Sequence, residues 1–425
     1  MTEQTPTSTT AAPREPRRRR RIRPRTFFAL LGPGLIAANA GNDAGGIATY
    51  ASAGSQFVYR TLFVMLLVTV ALVVVQEMSA RLGVHTGEGL VSLIREQFNL
   101  RLGLFAVLCL MAANLGLVVS EFAGIAAAFE LLNISRYLSV PIAAIVIWGL
   151  VMFGSYRYVE RVFLLLTIPF LAYPIAALLG RPKWTQVGSN TVVPHMLGNR
   201  SFLVMVVALI GTTITPYMQL YQAAAVVDRG TGKDDYRSAR KDAITGALFS
   251  NFISMAIIIA TAATIGGTGA LSSAKQAALA LEPLVGGGAT ALFAIGLLGA
   301  SCLAAAVVPL STSYAISEAV GVERSVSSRF REAPLFLGLF TGQIIIGALI
   351  ALLPGNLISL LINTQVVNGL IAPVFLTFIL VLANRRSVLG DAANKPAYRA
   401  LATVCVATVG VLAIAVVVIT VIGWF

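Results

Sequence analysis

The sequence predicts an all-α polytopic membrane protein with about eleven transmembrane helices. Of its 425 residues, 57% are hydrophobic and 12% are charged, and the mean hydropathy is +0.83. Ordinary soluble domains carry about 25% charged residues. At ~20 residues per span, this length allows roughly ten to twelve helices with their loops. The composition therefore excludes a soluble enzyme, a disordered protein and a nucleic-acid-binding module.

Residues 1–26 are rich in threonine, proline and arginine and include the run Arg17–Arg21. Low hydrophobicity and high charge predict a disordered tail. The positive-inside rule places such a tail in the cytoplasm, so the formal charge of +13 indicates topology rather than a nucleic-acid partner.

The lipid bilayer is the expected partner, and the cell membrane is the expected location. An odd number of spans places the carboxyl terminus outside. The sequence does not set the oligomeric state, and a monomer is compatible with it.

Hydropathy predicts a single transmembrane domain over residues 27–425, in which the first and sixth spans are interrupted. Its two halves cover about 27–180 and about 201–383, and an additional helix covers about 400–423. The predicted spans lie near residues 27–57, 60–80, 103–130, 139–154, 161–179, 201–227, 241–265, 286–316, 333–353, 356–383 and 400–423.

Both interruptions introduce polar and helix-breaking residues into an apolar segment, and they occupy corresponding positions in the two halves. The first, Asn39–Gly46, contains an aspartate flanked by glycines. The second, Gly211–Gln219, contains three threonines and a proline. Interrupted helices at corresponding positions of two halves indicate the binding site of an inverted-repeat transporter.

Asp43 is the most informative residue of the first interruption. A charge at the bilayer centre costs at least ~2.5–3.5 kcal/mol, so it normally faces a cavity, a partner or an ion. Neighbouring glycines allow the helix to unwind and expose carbonyl oxygens. In the alternative interpretation, Asp43 caps the helix that follows, which is compatible with ion binding.

The facing interruption consists of Thr212, Thr213, Thr215 and Pro216. Proline has no N–H, so a nearby carbonyl loses its helical partner, and threonine hydroxyls add oxygen ligands. The alternative is a proline kink in which the threonines bond to their own backbone.

Other polar residues fall within predicted spans. Gln365 and Asn368 either form interhelical hydrogen bonds or complete an ion's shell. Glu121, deep in the third span, and Glu77 are each a candidate proton acceptor or a structural partner for a buried arginine, serine or amide. Glu77 lies close to an inner helix end, so solvation is a further interpretation of this residue. The two histidines, His85 and His195, lie outside the predicted spans, which argues against a histidine relay.

At these residues the sequence resembles the NRAMP family of divalent-metal transporters. The resemblance implies a LeuT-like fold, in which two inverted five-helix repeats contain broken helices 1 and 6. It also implies that the ion is a substrate rather than a resident cofactor. The motifs that carry the resemblance are Leu31–Leu35, Asp43–Gly46, Ala80–Gly87, Ser120–Gly124, Thr215–Tyr217 and Gln365.

The resemblance implies a metal site with altered ligands. Asp43 keeps the family's aspartate and Gln365 its glutamine, whereas Gly46 replaces an asparagine and Thr215 a methionine. Thr212 stands where the family offers a backbone carbonyl. Loss of the thioether removes the ligand that favours soft metals. A roomier, all-oxygen site suits Mg²⁺, which retains its waters, so the chain is most similar to the NRAMP-related magnesium transporters.

The proton pathway implied by the family is incomplete in this chain. Tyr217 and Gln222 occupy the positions of two histidines, and Val118 that of an aspartate, whereas Glu121 remains. Transport is therefore expected not to be coupled to protons. The residues expected along the pathway or around the ion's waters are Tyr217, Gln219, Gln222, Glu121 and Asn368.

The sequence thus predicts a transporter that imports Mg²⁺, and also Mn²⁺, by alternating access. The first alternative is a proton-coupled Mn²⁺/Fe²⁺ transporter of the same family. The second is an amino-acid transporter of the same superfold, although Asp43 would repel a substrate carboxylate. A metal sensor or a structural membrane protein would bind an ion without transporting it.

Overall fold

The computed structural model describes residues 42–153, 168–195, 197–320 and 333–422. The predicted tail over residues 1–26, the Leu31–Leu35 motif and the carboxyl-terminal Trp424 lie outside the described residues. The same holds for residues 27–41 of the first predicted span and residues 161–167 of the fifth.

Helices and turns make up the described residues, which contain no strand. Short 3-10 turns cover Ile168–Leu171, Lys233–Asp235, Leu279–Leu281, Gly286–Gly288 and Gly390–Ala392. The α-helices are α1 (Ala44–Phe57), α2 (Leu62–Thr86), α3 (Leu90–Gln97), α4 (Leu100–Glu130), α5 (Arg136–Phe153), α6 (Ala172–Leu179), α7 (Trp184–Val192), α8 (Arg200–Thr213), α9 (Pro216–Asp228), α10 (Tyr236–Ile265), α11 (Ala274–Ala278), α12 (Glu282–Val285), α13 (Ala289–Val320), α14 (Pro334–Ala351), α15 (Leu357–Asn384), α16 (Arg386–Leu389) and α17 (Pro396–Ile422).

Within the described ranges, nine helical stretches are long and apolar enough to cross a membrane. They differ in how far the protein covers them. In Arg200–Val227, which includes α8 and α9, 83% of the most apolar window is buried, against 22% in α5 and in α17. The interrupted stretch is therefore at the centre of the molecule, while α5 and α17 leave most of their apolar surface for lipid. The total of about eleven spans stays a prediction.

Asparagine side chains cap three of the long helices. Asn99 accepts a hydrogen bond from Leu102 N–H at the start of α4 (2.9 Å), and Asn199 one from Phe202 N–H at α8 (2.8 Å). Asn356 does the same at α15. Each cap satisfies one N–H that the first turn cannot pair internally. These local signals fix where the helices around the centre begin.

Two groups of helices meet around α1, α8 and α9. Helix α4 packs against α13, α14 and α15, whereas α10 packs against α1 and α2. Helix α15 also packs on α8 and reaches α1, and α9 lies along α2. The centre is therefore enclosed by α1, by the broken stretch of α8 and α9, and by α2, α4, α10 and α15.

A polar cluster joins α2 to α10 and α17 away from the two helix breaks. The Glu77 carboxylate accepts hydrogen bonds from the hydroxyls of Tyr236 and Tyr398 and pairs with Arg81 at 3.3 Å. Arg81 in turn donates to the Asn394 side chain. Of the interpretations of Glu77, the partner of a buried arginine fits the structure and solvation does not. The residue is 3% exposed, because two tyrosines from distant helices cover it. We call Glu77, Arg81, Tyr236, Asn394 and Tyr398 the Glu77 cluster.

Candidate metal-binding site

Asp43 lies at the amino-terminal end of α1 and is 2% exposed. Its Oδ1 accepts a hydrogen bond from Gly46 N–H (2.6 Å), so the carboxylate caps the helix. Its Oδ2 is buried and has no hydrogen-bond partner among the residues that the structure describes. One oxygen of the carboxylate therefore serves the helix, while the other is available to a ligand.

Gly46 differs from its sequence prediction. We expected unwound carbonyl groups near this residue, but helix α1 begins at Ala44 and places Gly46 in its first turn. Within the described residues the Asp43 cap ends the non-helical stretch before Gly46, so a role for backbone carbonyl groups near Gly46 stays a prediction. Gly46 itself donates its N–H to the Asp43 carboxylate.

The second break separates α8 from α9. Helix α8 ends at Thr213, Thr215 has an extended backbone (φ −72°, ψ 141°), and Pro216 begins α9. Thr213 pairs with the Tyr50 hydroxyl of α1 at 3.0 Å, which joins the two broken stretches. The hydroxyls of Thr212 and Thr215 are buried and make no hydrogen bond within the described ranges, so they do not bond to their own helix as a simple proline kink would require.

Gln365 of α15 stands between the two breaks. A Cβ added to Gly45 would overlap the Gln365 side-chain amide, and one added to Gly211 would overlap the Gln365 carbonyl oxygen and the Gly369 backbone. Only glycines allow α15 to approach both broken helices so closely. Both amide atoms of Gln365 are buried without a partner in the described part of the chain. The structure thus brings Gln365 to the place where the sequence predicts it.

Glu121 of α4 brings a second carboxylate to the same place. Its Oε2 lies 3.5 Å from the backbone N–H of Ala44, the residue that follows Asp43. Its residue is fully buried, and Oε1 has no partner among the described groups. The two ion pairs found within the described ranges, Glu77–Arg81 and Glu130–Arg136, involve neither carboxylate. The site therefore concentrates negative charge without a cationic side chain paired to it.

The remaining predicted residues are buried but less directly connected. Tyr217, Gln219 and Gln222 lie on α9 and are at most 2% exposed. Gln219 accepts a hydrogen bond from Ser79 of α2 (3.4 Å). The side-chain amides of Gln222 and Asn368 have no partner in the part of the chain that the structure describes. Nothing in the geometry assigns these four residues to the ion itself, so their roles stay predictions.

The site also contains polar residues that sequence reasoning missed. Ser120 of α4 and Ser301 of α13 each have a buried hydroxyl without a partner among the described residues. Ser120 lies against Gly45, and Ser301 lies against Gly124, where an added Cβ would overlap its hydroxyl. Serines are common in apolar helices, so only the glycines opposite them could have signalled their position.

The arrangement differs from that of a resident metal centre. No three histidine, cysteine, aspartate or glutamate side chains come together as metal ligands within the described ranges. Hydroxyl and amide groups surround two carboxylates instead, between the start of α1 and the break that separates α8 from α9.

A break between two apolar helices beside a buried polar centre is a feature of integral membrane transporters, and the comparisons with known proteins agree with that class. Residues 34–419 match the family model described as natural resistance-associated macrophage protein-like. The chain therefore belongs to the NRAMP family and is an integral membrane protein. The family assignment that the sequence motifs predict is confirmed, whereas its magnesium branch is not.

Two curated relatives match nearly the whole chain, and a third matches about two thirds of it. A divalent metal cation transporter MntH of Aeromonas hydrophila is 26% identical over 90% of this chain and 93% of its own length. Its namesake from Deinococcus radiodurans is 28% identical over 88% and 86%. A third, from Erwinia tasmaniensis, is 30% identical over 64% of this chain and 68% of its own length.

Solved structures share the fold. The manganese transporter of Eremococcus coleocola has a TM-score of 0.75 at 19% identity and covers 91% of this chain and 86% of its own. The nucleobase-cation-symport-1 family transporter Mhp1 has a TM-score of 0.54 at 14% identity, over 91% of this chain and 92% of its own. The predicted LeuT-like fold is confirmed.

Proposed function

We propose that this protein transports divalent metal cations across the membrane by alternating access, with Asp43 as the residue that binds the ion. The observation that carries the proposal is the buried Oδ2 of Asp43, which has no hydrogen-bond partner within the described ranges. Asp43 lies at the amino-terminal end of α1, a helix that contacts the break between α8 and α9 through Tyr50. The three relatives above are named divalent metal cation transporters, which supports the same function.

Burial of two carboxylates explains why a cation is the substrate. An ionised carboxylate in a medium of low polarity is costly unless an opposite charge or hydrogen bonds compensate it. Asp43 and Glu121 receive only one backbone N–H each from the described residues. A divalent ion would supply the missing charge, while hydroxyl and amide groups would bind the ion or its waters.

The donors at the breaks support a hard ion. Carboxylate, hydroxyl and amide oxygens suit Mg²⁺ and Mn²⁺, and no thioether stands at the Thr215 position to favour softer metals. We therefore propose Mg²⁺ as a substrate, with Mn²⁺ also accepted. In this assignment Asp43 binds the ion, and Thr212, Thr215, Gly46 and Gln365 line its site. No resident cofactor is required.

The alternative, a proton-coupled Mn²⁺/Fe²⁺ transporter, has its own support. The solved relative of Eremococcus coleocola is a manganese transporter, and the names of the relatives favour this alternative over magnesium specificity. Against proton coupling, Tyr217 and Gln222 occupy positions where the family has histidines. Without coupling, membrane voltage would drive import, at ~2.3 kcal/mol per charge per 100 mV.

Two other candidates receive less support. An amino-acid transporter of this superfold would have to place a substrate carboxylate beside Asp43 and Glu121, which repel it. A sensor or a structural protein would not need polar groups without partners at two helix breaks. Under the proposed topology, residues 1–26 are cytoplasmic, the carboxyl terminus is outside, and the chain resides in the cell membrane.

One experiment separates the main proposal from its alternative. Purified protein in liposomes is given Mg²⁺, Mn²⁺ or Ca²⁺ outside, while ion influx and internal pH are followed together. The proposal predicts saturable influx of Mg²⁺ and Mn²⁺ without acidification beyond that of empty liposomes. Mn²⁺ influx with acidification and no Mg²⁺ influx would support the alternative, and no influx of any ion would refute both.

A further inference from the structure

Gln76 of α2 is a buried polar residue that the proposed site does not yet include. Its residue is 0% exposed, and neither its amide oxygen nor its amide nitrogen has a hydrogen-bond partner among the described residues. Burying both groups without partners costs free energy, because water would satisfy each of them in the unfolded chain. A buried side-chain amide whose oxygen and nitrogen both lack a partner therefore indicates either a ligand or water at this position.

The register between α2 and α9 shows where Gln76 lies. Ser79 donates to Gln219 at 3.4 Å, and an added Cβ on Gly83 would meet the carbonyl oxygen of Ala223 at 2.5 Å. From Ser79 to Gly83 the contact on α2 moves toward the carboxyl end, and its partner on α9 moves the same way, from Gln219 to Ala223. The two helices α2 and α9 therefore run in the same direction. Gln76 precedes Ser79 by three residues, which is ~4.5 Å along the helix axis.

The same three-residue step on α9 leads from Gln219 back to Pro216, the first residue of α9. Gln76 is therefore level with the break between α8 and α9. Side chains on a helix tilt toward its amino terminus, which carries the Gln76 amide further toward Thr215.

The helix face points in the same direction. Gln76, Ser79 and Gly83 are spaced i, i+3 and i+7, so they share one face of α2. Ser79 and Gly83 both contact α9, so this face is directed at α9. Glu77, one residue further on, lies on a different face and belongs to the Glu77 cluster. The buried amide is thus directed at a break where the hydroxyl of Thr215 also has no partner in the described ranges.

We propose that Gln76 is a further residue of the cation site, whose amide oxygen accepts a hydrogen bond from water carried by the transported ion. This inference rests on the proposed function. Mg²⁺ dehydrates reluctantly and keeps several waters, and each cation-bound water directs its hydrogens outward, toward an acceptor. A glutamine oxygen is such an acceptor and carries no charge that would trap the ion.

The test compares two buried amides. Gln76→Leu removes the acceptor at the break. The control, Gln343→Leu, removes a buried amide of α14, where Nε2 donates to the carbonyl of Leu339 at 3.1 Å and Oε1 has no partner in the described part of the chain. Both variants and the unmodified protein are reconstituted in liposomes, and KM is measured for Mg²⁺ and for Mn²⁺.

We expect Gln76→Leu to raise the KM for Mg²⁺ about tenfold and that for Mn²⁺ by a smaller factor, because the lost hydrogen bond acts on a water that Mg²⁺ retains. Gln343→Leu should change both values by less than about twofold. Unchanged KM values and an unchanged Mg²⁺/Mn²⁺ ratio in Gln76→Leu would overturn the inference, as would an equal change in the two variants.

A second variant covers the case in which Gln76→Leu does not fold. Gln76→Glu has nearly the same shape, keeps the acceptor and adds a negative charge, so it should lower the KM for both ions. Unchanged values in Gln76→Glu would place the residue away from the ion. If the unmodified protein transports both ions and Gln76 variants behave as it does, only this inference fails; if it transports neither, the proposed function fails.

Discussion

Two polar regions of this protein, the Glu77 cluster and the candidate metal-binding site, differ in how their hydrogen bonds are satisfied. In the Glu77 cluster, the carboxylate has two tyrosine hydroxyls and a guanidinium as partners. At the helix breaks, Asp43 and Gln365 retain polar atoms without partners among the described residues. A buried polar group that the protein satisfies itself stabilises the fold, and we propose that the unsatisfied atoms of Asp43 and Gln365 are kept for a ligand.

The comparison predicts different consequences for the two regions. Substitutions at the breaks should affect transport more than stability, and substitutions in the Glu77 cluster should affect stability more than ion preference. A break residue whose removal only destabilised the protein would contradict this division.

The largest effect is expected for Asp43→Asn. Asparagine caps a helix about as well as aspartate, so Gly46 N–H keeps an acceptor and the fold should be retained. The negative charge is lost, and ion influx into liposomes should fall to the background of empty liposomes. Near-normal Mg²⁺ and Mn²⁺ influx in a folded Asp43→Asn protein would refute the assignment of the site.

Glu77→Gln should destabilise the protein by about 3 kcal/mol, because it leaves the Arg81 guanidinium buried without its counter-charge. The matched control is Glu130→Gln, which breaks a pair with Arg136 whose Glu130 side chain is 39% exposed. That change should cost at most about 1 kcal/mol. Thermal unfolding in detergent measures both, and the Mg²⁺/Mn²⁺ ratio of KM values should not change. An altered ratio in Glu77→Gln would contradict the prediction that the Glu77 cluster affects stability and not ion preference.

Gly211→Ala should cost about 2 kcal/mol and reduce transport, because the new methyl group overlaps the α15 backbone at Gln365 and Gly369. Gly338→Ala of α14 is its control, since an added Cβ there meets no heavy atom within 4 Å. The control should be neutral or slightly stabilising. Comparable unfolding temperatures and influx rates for the two variants would show that α15 does not depend on this close approach.

The smallest effect is expected for the double substitution Thr215→Met with Gly46→Asn. It adds a thioether and a second amide at the breaks, so the KM ratio should move about tenfold toward Mn²⁺. Thr215→Ser with Gly46→Ala retains an all-oxygen donor set and serves as the control. An identical Mg²⁺/Mn²⁺ ratio of KM values in the two double variants would show that Thr215 and Gly46 do not determine ion preference.

Much of this architecture could be predicted from the sequence because apolar length and helix-breaking residues act locally. The interruption at Thr213–Pro216 is present in the structure, as proline and threonine predict. One oxygen of Asp43 caps α1, and the other has no partner among the described residues. Both interpretations of this residue, helix capping and ion binding, therefore fit the same geometry. The start of α1 just before Gly46 could not be predicted, because capping decides within one or two residues where a helix begins.

What could not be predicted depends on pairings between distant parts of the chain. Glu77 is buried because tyrosines 159 and 321 residues further along the chain reach it. Gln76 gains its significance only from the register of α2 on α9. Hydropathy does not encode such registers, since a glutamine or a glutamate in an apolar run has the same pattern whether it faces a partner, lipid or an ion.

The central claim is that the Asp43 carboxylate binds the transported ion. Equilibrium titration calorimetry of Mg²⁺ and of Mn²⁺ into the purified protein and into Asp43→Asn tests it most directly. We predict that the unmodified protein binds one ion per chain and that Asp43→Asn, folded and capped as before, gives no binding isotherm. Equal affinity and stoichiometry in the two proteins would contradict the claim.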